Sequence, residues 1–133
     1  MRRAVIFVDS NVAMYMVGAP HPNRDALERY LRQSANQDFV TSVEVFQEII
    51  HRYVAIDRRP AIADAFRLLD ALAHSVFPIH RRDIDRAHQF AIAQRGLSGR
   101  DCLHLAVMEN RGINRVLTMD RDFDLWPSIE RLP

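Results

Sequence analysis

The chain has no lysine: all 18 of its basic Lys-plus-Arg positions are arginine. That absence excludes P-loop nucleotide binding, Schiff-base catalysis and Ser-Lys hydrolysis, each of which needs a lysine. Arginine still suits a bidentate grip on phosphate, although codon bias is the simpler source of an all-arginine set. A single cysteine, Cys102, excludes an internal disulfide and any CxxC zinc pattern. This fits a reducing compartment, so the expected location is the cytoplasm. No apolar run approaches membrane-spanning length, because Asp9 and Asn11 interrupt the stretch that follows Arg2 and Arg3, and no small-residue cleavage site comes after it. Neither secretion nor membrane insertion is expected. The six histidines are scattered, with no HxxxH or HExxH pairing, and GxSxG is absent, so zinc hydrolases and α/β-hydrolases find no motif here. A net charge of +1 is too small to indicate a nucleic-acid partner by composition.

What is present is the balance of a globular protein. The chain of 133 residues is 48% hydrophobic and 26% charged, enough to build one core, and one domain over 1–133 is expected. Ala4 to Val8 is an unbroken run, AVIFV, that stops at Asp9-Ser10-Asn11 and predicts a buried parallel strand. Shorter apolar segments at Phe39–Thr41, Val76–Ile79 and Arg115–Thr118 alternate with helical patterning. Helices are expected over Asp25–Arg32 and Val43–Val54, from Pro60 through Leu72, over Asp83–Gln94, and over Arg100–Met108 with Gly112 closing it. Such alternation predicts an α/β fold with a parallel sheet.

In an open parallel sheet, ligands bind outside the carboxyl ends of the strands, so a polar residue directly after a strand is a site candidate. Asp9 ends AVIFV and Asp120 ends VLTM; either could instead serve only as a helix cap or turn former. Thr41-Ser42-Val43-Glu44 matches a capping box with Thr41 as N-cap, which gives Glu44 a structural task. Glu48, one turn further on, has no such task and borders the apolar stripe of Phe46, Ile49 and Ile50. It faces inward toward the strand ends or outward into solvent. Ser98 to Asp101 also reads as a capping box, and a carboxylate held ionised at a helix start is at the same time a good ligand for a hard cation. Oxygen donors without a histidine or cysteine cluster favour Mg2+, with Mn2+ as a substitute, over zinc. His51 and His104 read as structural, and Cys102 as inert packing.

The segments FVDSNV, TSVEVFQEI, GLSGRDCLHLA and VLTMDRDFD resemble, in order, the four motif blocks of PIN-domain nucleases. The similarity runs from Phe7 to Asp124 and is closest to the VapC toxins, the ribonuclease halves of VapBC toxin-antitoxin pairs. The resemblance implies a three-layer α/β/α fold with a five-stranded parallel sheet. It matches Asp9, Glu48, Asp101 and Asp120 to the four acids that hold metal and act in catalysis, with Asn11 and Ser98 as supporting residues. Asp122 and Asp124 compete with Asp120 for the fourth position. It further implies an RNA substrate, a VapB-type antitoxin, a homodimer and no membrane association. The alternative is a PIN-like domain that binds nucleic acid or a partner without cutting. Haloacid-dehalogenase-like phosphatases and response regulators also begin with a strand ending in Asp, but they need a lysine this chain lacks. Arg100, beside the third acid, could contact a substrate phosphate or simply sit in solvent. Phe46, Ile50 and Tyr53 could line a groove for an amphipathic partner helix or pack into the core.

Overall fold

The computed structural model describes residues 4–133. Strand β1 (Val5–Val8) passes without a loop into helix α1 (Ser10–Val17), followed by α2 (Pro22–Gln33), β2 (Asp38–Ser42), α3 (Val43–Ala55), α4 (Ala61–Leu72) and β3 (Ser75–Phe77). The second half contains α5 (Arg81–Ala93), α6 (Gly99–Asn110), β4 (Arg115–Leu117), a 3-10 turn (Arg121–Leu125) and β5 (Glu130–Leu132).

The five strands form one parallel sheet in the order β3-β2-β1-β4-β5. Ile6, Phe7 and Val8 are each at most 1% exposed, so successive side chains on opposite faces are both covered, as a parallel sheet layered by helices requires. The helices fall into two groups, α1 to α4 in mutual contact and α5 against α6, which gives the expected three-layer α/β/α arrangement. Helix α6 is buried nearly all round, through Cys102, His104, Leu105, Ala106, Val107 and Met108. Among the described residues no helix is long and apolar enough to cross a membrane.

The strand order decides where a ligand can bind. From β1 the chain moves to β2 on one side, and much later to β4 on the other, so β1 and β4 flank the point at which the order reverses. Connections leave this point in opposite directions and open a crevice at the carboxyl ends of both strands. Asp9 follows β1, and its backbone N–H donates to Leu117 O of β4 at 3.1 Å.

Local patterns were overridden in places. Helix α1 was not expected, since Asn11, Val12 and Tyr15 are weak helix formers. It forms because the Asp9 side chain accepts from Ser10 N–H and because Val12 and Ala13 are fully buried. The capping box at Thr41 is absent: Thr41 lies in β2, where its hydroxyl donates to Val8 O at 2.9 Å, and Ser42 is the N-cap of α3 without a side-chain hydrogen bond. Strand pairing took the hydroxyl that the helix start needed. Gly112 closes α6 as expected, with a φ of +70° in the left-handed region that favours glycine. Of the three groove candidates, Tyr53 is buried and Phe46 packs edge-on against Phe66, leaving only Ile50 exposed.

Candidate active site

Asp9 is held from both sides of the crevice. One carboxylate oxygen accepts from Ser10 N–H at 2.7 Å; the other accepts from Thr118 Oγ1 at 2.8 Å and Asn11 Nδ2 at 3.4 Å. Asp9 therefore both caps α1 and lines the crevice. Thr118, directly after β4, is fully buried; besides donating to Asp9 it accepts from Asn11 Nδ2 and from Asp120 N–H. One donor and two acceptors exhaust a hydroxyl, so Thr118 ties the ends of β1 and β4 together. Asn11 completes the tie by accepting from Met119 N–H at 3.1 Å. Only 4% of Asp9 is exposed, and burial raises its pKa above the ordinary range; Glu48 adds to the rise, while His104, Thr118 and the Ser10 N–H oppose it.

Glu48 points inward from the second turn of α3, not into solvent. Its carboxylate accepts from Ser10 Oγ at 2.7 Å and is hydrogen-bonded to His104 Nε2. Burial pushes its pKa up, but these bonds and the nearby His104 and Arg100 charges bring it below the ordinary value. His104 is the main correction to the expectation from sequence: it is a fully buried member of the carboxylate cluster and not merely a structural histidine. Burial lowers its affinity for a proton, yet Glu48, Asp9 and Asp101 raise its pKa to about 8. A local signal was available, since His104 lies three residues after Asp101 and so on the same face of α6.

Asp101 sits in the first turn of α6, where its N–H donates to Ser98 Oγ at 3.1 Å. It is 7% exposed, and its pKa is raised to about 6, first by burial and then by repulsion from Asp120 and Asp9. Asp120 caps the 3-10 turn by accepting from Asp122 N–H at 2.9 Å. Two sets of possible ligands result, Asp9 with Glu48 and His104, and Asp101 with Asp120 and Asp122; within each set the donor atoms lie within 4.8 Å of one another. Asp124 is drawn away, paired with Arg131 at 3.0 Å. Asp9, Glu48, Asp101 and Asp120 line a single cleft, and Arg52 and Arg100 belong to the same lining. Neither arginine has a side-chain hydrogen bond or an ion pair within 4 Å among the described residues.

Acids converging from four elements at the sheet's switch point can hold a hard divalent cation, and the family model for the PIN domain matches residues 6–126. The chain belongs to the PIN-domain family. Among curated PIN-domain relatives, Ribonuclease VapC13 of Mycobacterium tuberculosis is 45% identical over 130 residues, covering 96% of this chain and 99% of that one. Among solved structures, Mycobacterium tuberculosis VapC20, described as a sarcin-ricin loop cleaving toxin, superposes with a TM-score of 0.77 at 21% identity, covering 92% and 95%. VapBC2 from Rickettsia felis, solved with a DNA fragment from its promoter, gives 0.72 at 13% identity, covering 96% and 97%. These two likenesses are of PIN fold.

Proposed function

We propose that this PIN domain, spanning the whole chain, is a Mg2+-dependent endoribonuclease and the toxin of a toxin-antitoxin pair, with Asp9, Glu48, Asp101 and Asp120 as its catalytic, metal-holding acids. The observation that carries the proposal is the excess of acids in the cleft: Asp101 is raised to about 6 by burial and then by two neighbouring acids, and among the described residues no arginine lies within 4 Å of any of the four, His104 being the single cationic partner. A buried cluster of like charge is costly unless a cation relieves it. The donor set fits such an ion, since carboxylate oxygens predominate and hard divalent cations take oxygen ligands. Mn2+ would be tolerated for the same reason. A divalent ion at these acids supplies charge neutralisation to a phosphoryl oxygen and acidifies a nearby water.

The protein's own residues do the rest. Thr118, Asn11 and the Ser10 N–H hold Asp9 in one orientation, and Ser98 fixes the start of the helix that carries Asp101. Asp122 lies close enough to share the outer side with Asp120. Arg52 and Arg100 are exposed in the same cleft and suited to take the substrate's phosphates, and because Asp9 and Asp101 are buried, a strand whose backbone can splay inward suits the cleft better than a rigid duplex. Hydrolysis adds water across one P–O bond, and the leaving oxygen takes the proton.

The names of the relatives support a toxin role with a VapB-type antitoxin, and a cytoplasmic location and a homodimer are proposed with it. The decisive experiment compares RNA cleavage by the wild type and Asp9→Asn, with Mg2+ and with a chelator, and expresses both in a bacterial host with and without a VapB-type partner. Metal-dependent cleavage and growth arrest, both lost in Asp9→Asn and the arrest relieved by the partner, are expected. RNA binding without cleavage by the wild type would favour the non-cutting alternative.

A further inference from the structure

Glu48 is gripped at both oxygens, by Ser10 Oγ on one and by His104 Nε2 on the other. The histidine is an expensive way to fill the core. It is fully buried against Phe7, with ring centroids 5.5 Å apart, and its Nδ1 has no hydrogen-bond partner among the described residues. Leaving a buried polar atom unpaired is unfavourable, and an apolar side chain would fill the space without that cost. Nε2 faces Glu48 and carries a proton in the imidazolium and in the neutral tautomer that leaves Nδ1 bare, so in both states it donates to that carboxylate. The same Nε2 lies 3.7 Å from Asp9 Oδ1, which is too far for a hydrogen bond but close enough to keep the ring beside both acids.

We propose that His104 is a positioning residue for the cation, holding the Glu48 carboxylate turned toward Asp9 and so setting the affinity of the cluster, without ligating the ion itself. The nitrogen near the acids is already committed to Glu48, which leaves that ring no lone pair to offer on this side. The inference rests on the metal-binding function proposed above. A donor on the outer side of a ligating carboxylate fixes its orientation, and losing such a partner typically weakens metal binding about 10- to 100-fold.

The test is calorimetric titration of Mg2+ and of Mn2+ into the wild type, His104→Met and His104→Gln, with melting curves to confirm folding. His104→Met keeps the volume but removes the donor and should weaken both ions about 10- to 100-fold and to a similar extent. His104→Gln retains an N–H donor and should recover most of that loss. Ser10→Ala removes the other bond on Glu48 without touching the buried ring, and should show a smaller weakening even if His104→Met does not fold. Unchanged affinity in His104→Met, or in Ser10→Ala where His104→Met does not fold, overturns the positioning role. Loss of Mn2+ alone overturns it in favour of a nitrogen ligand, and tighter binding in favour of a ring that competes with the ion. A wild type that binds neither ion overturns the metal-binding function itself.

Discussion

Asp83 and Asp101 are both buried acids in helical first turns, and their surroundings treat them in opposite ways. Asp83, fully buried in α5, accepts from His80 N–H and Asn110 Nδ2, each at 2.8 Å, and from Arg111 Nη1 at 3.1 Å. Arg111 is itself held by Val107 O and Pro78 O and lies over the Phe77 ring. Burial alone would raise Asp83, but Arg111, the His80 N–H and Asn110 bring it down to about 2. Asp101 has no such ion pair among the described residues, and burial followed by repulsion from Asp120 and Asp9 outweighs the opposing Ser98 bond and His104 charge, lifting it to about 6. A buried acid with a resident arginine holds elements together, here α5, α6 and the end of β3. A buried acid without one is a place for something that the chain does not itself supply.

The comparison can be broken most sharply at Asp83. Asp83→Asn leaves Arg111 buried without its counter-charge and should cost about 3–5 kcal/mol, a fall of roughly 10 °C or more in melting temperature. Cleavage at permissive temperature should persist, and an unchanged melting curve would erase the distinction. Asp101→Asn should behave in the reverse sense. Removing a repelled charge raises metal-free stability by about 1–2 kcal/mol, whereas metal-dependent cleavage falls at least about a hundredfold. Melting curves with and without Mg2+ check both halves, because an ion at 100 times its Kd should add about 2.7 kcal/mol to the wild type and much less to the variant.

Acid titration sharpens the contrast further. Asp83 has a lower pKa folded than the ordinary 3.8. Its stabilisation, of order 2 kcal/mol, is therefore complete above about pH 4 and is lost as pH falls toward 2. Denaturant midpoints measured across that window should drop in the wild type, with that component missing in Asp83→Asn. The smallest effect belongs to Glu44, a half-buried residue one turn before Glu48 on α3. With no capping box to support, Glu44→Gln should change stability by less than about 0.5 kcal/mol and leave cleavage intact, as ordinary surface substitutions do. A large loss of activity there would show that the wrong turn of α3 had been assigned to the site.

How much of this was legible in the chain differs between the two acids. Asp101 could be picked out because its role is written locally, in a hydroxyl residue three positions earlier and a helix following. Asp83 and Arg111 carried no such sign, since 28 residues separate them and either alone is an ordinary charged residue of an amphipathic helix. The same division runs through the site. Asp9 and Asp120 follow apolar strands and Glu48 lacks any capping excuse, so they were visible. His104, Ser10 and Thr118 were not, because each acts on a carboxylate or amide brought to it by folding: 56 residues separate His104 from Glu48, and 109 separate Thr118 from Asp9.

The sequence by itself determined the alternation of strands and helices, the parallel sheet, the absence of lysine chemistry and the candidate acids, three at the ends of elements and Glu48 inside a helix, because hydrophobic period and residue type are local properties. Tertiary structure alone decided which hydroxyl caps a helix and which joins a strand, as Thr41 shows. It decided that Asp124 would pair with Arg131 and leave the cleft, and that a histidine would stand among the acids. Each of these depends on which distant group arrives within about 3 Å, the distance over which hydrogen bonds act, and no local pattern carries that information.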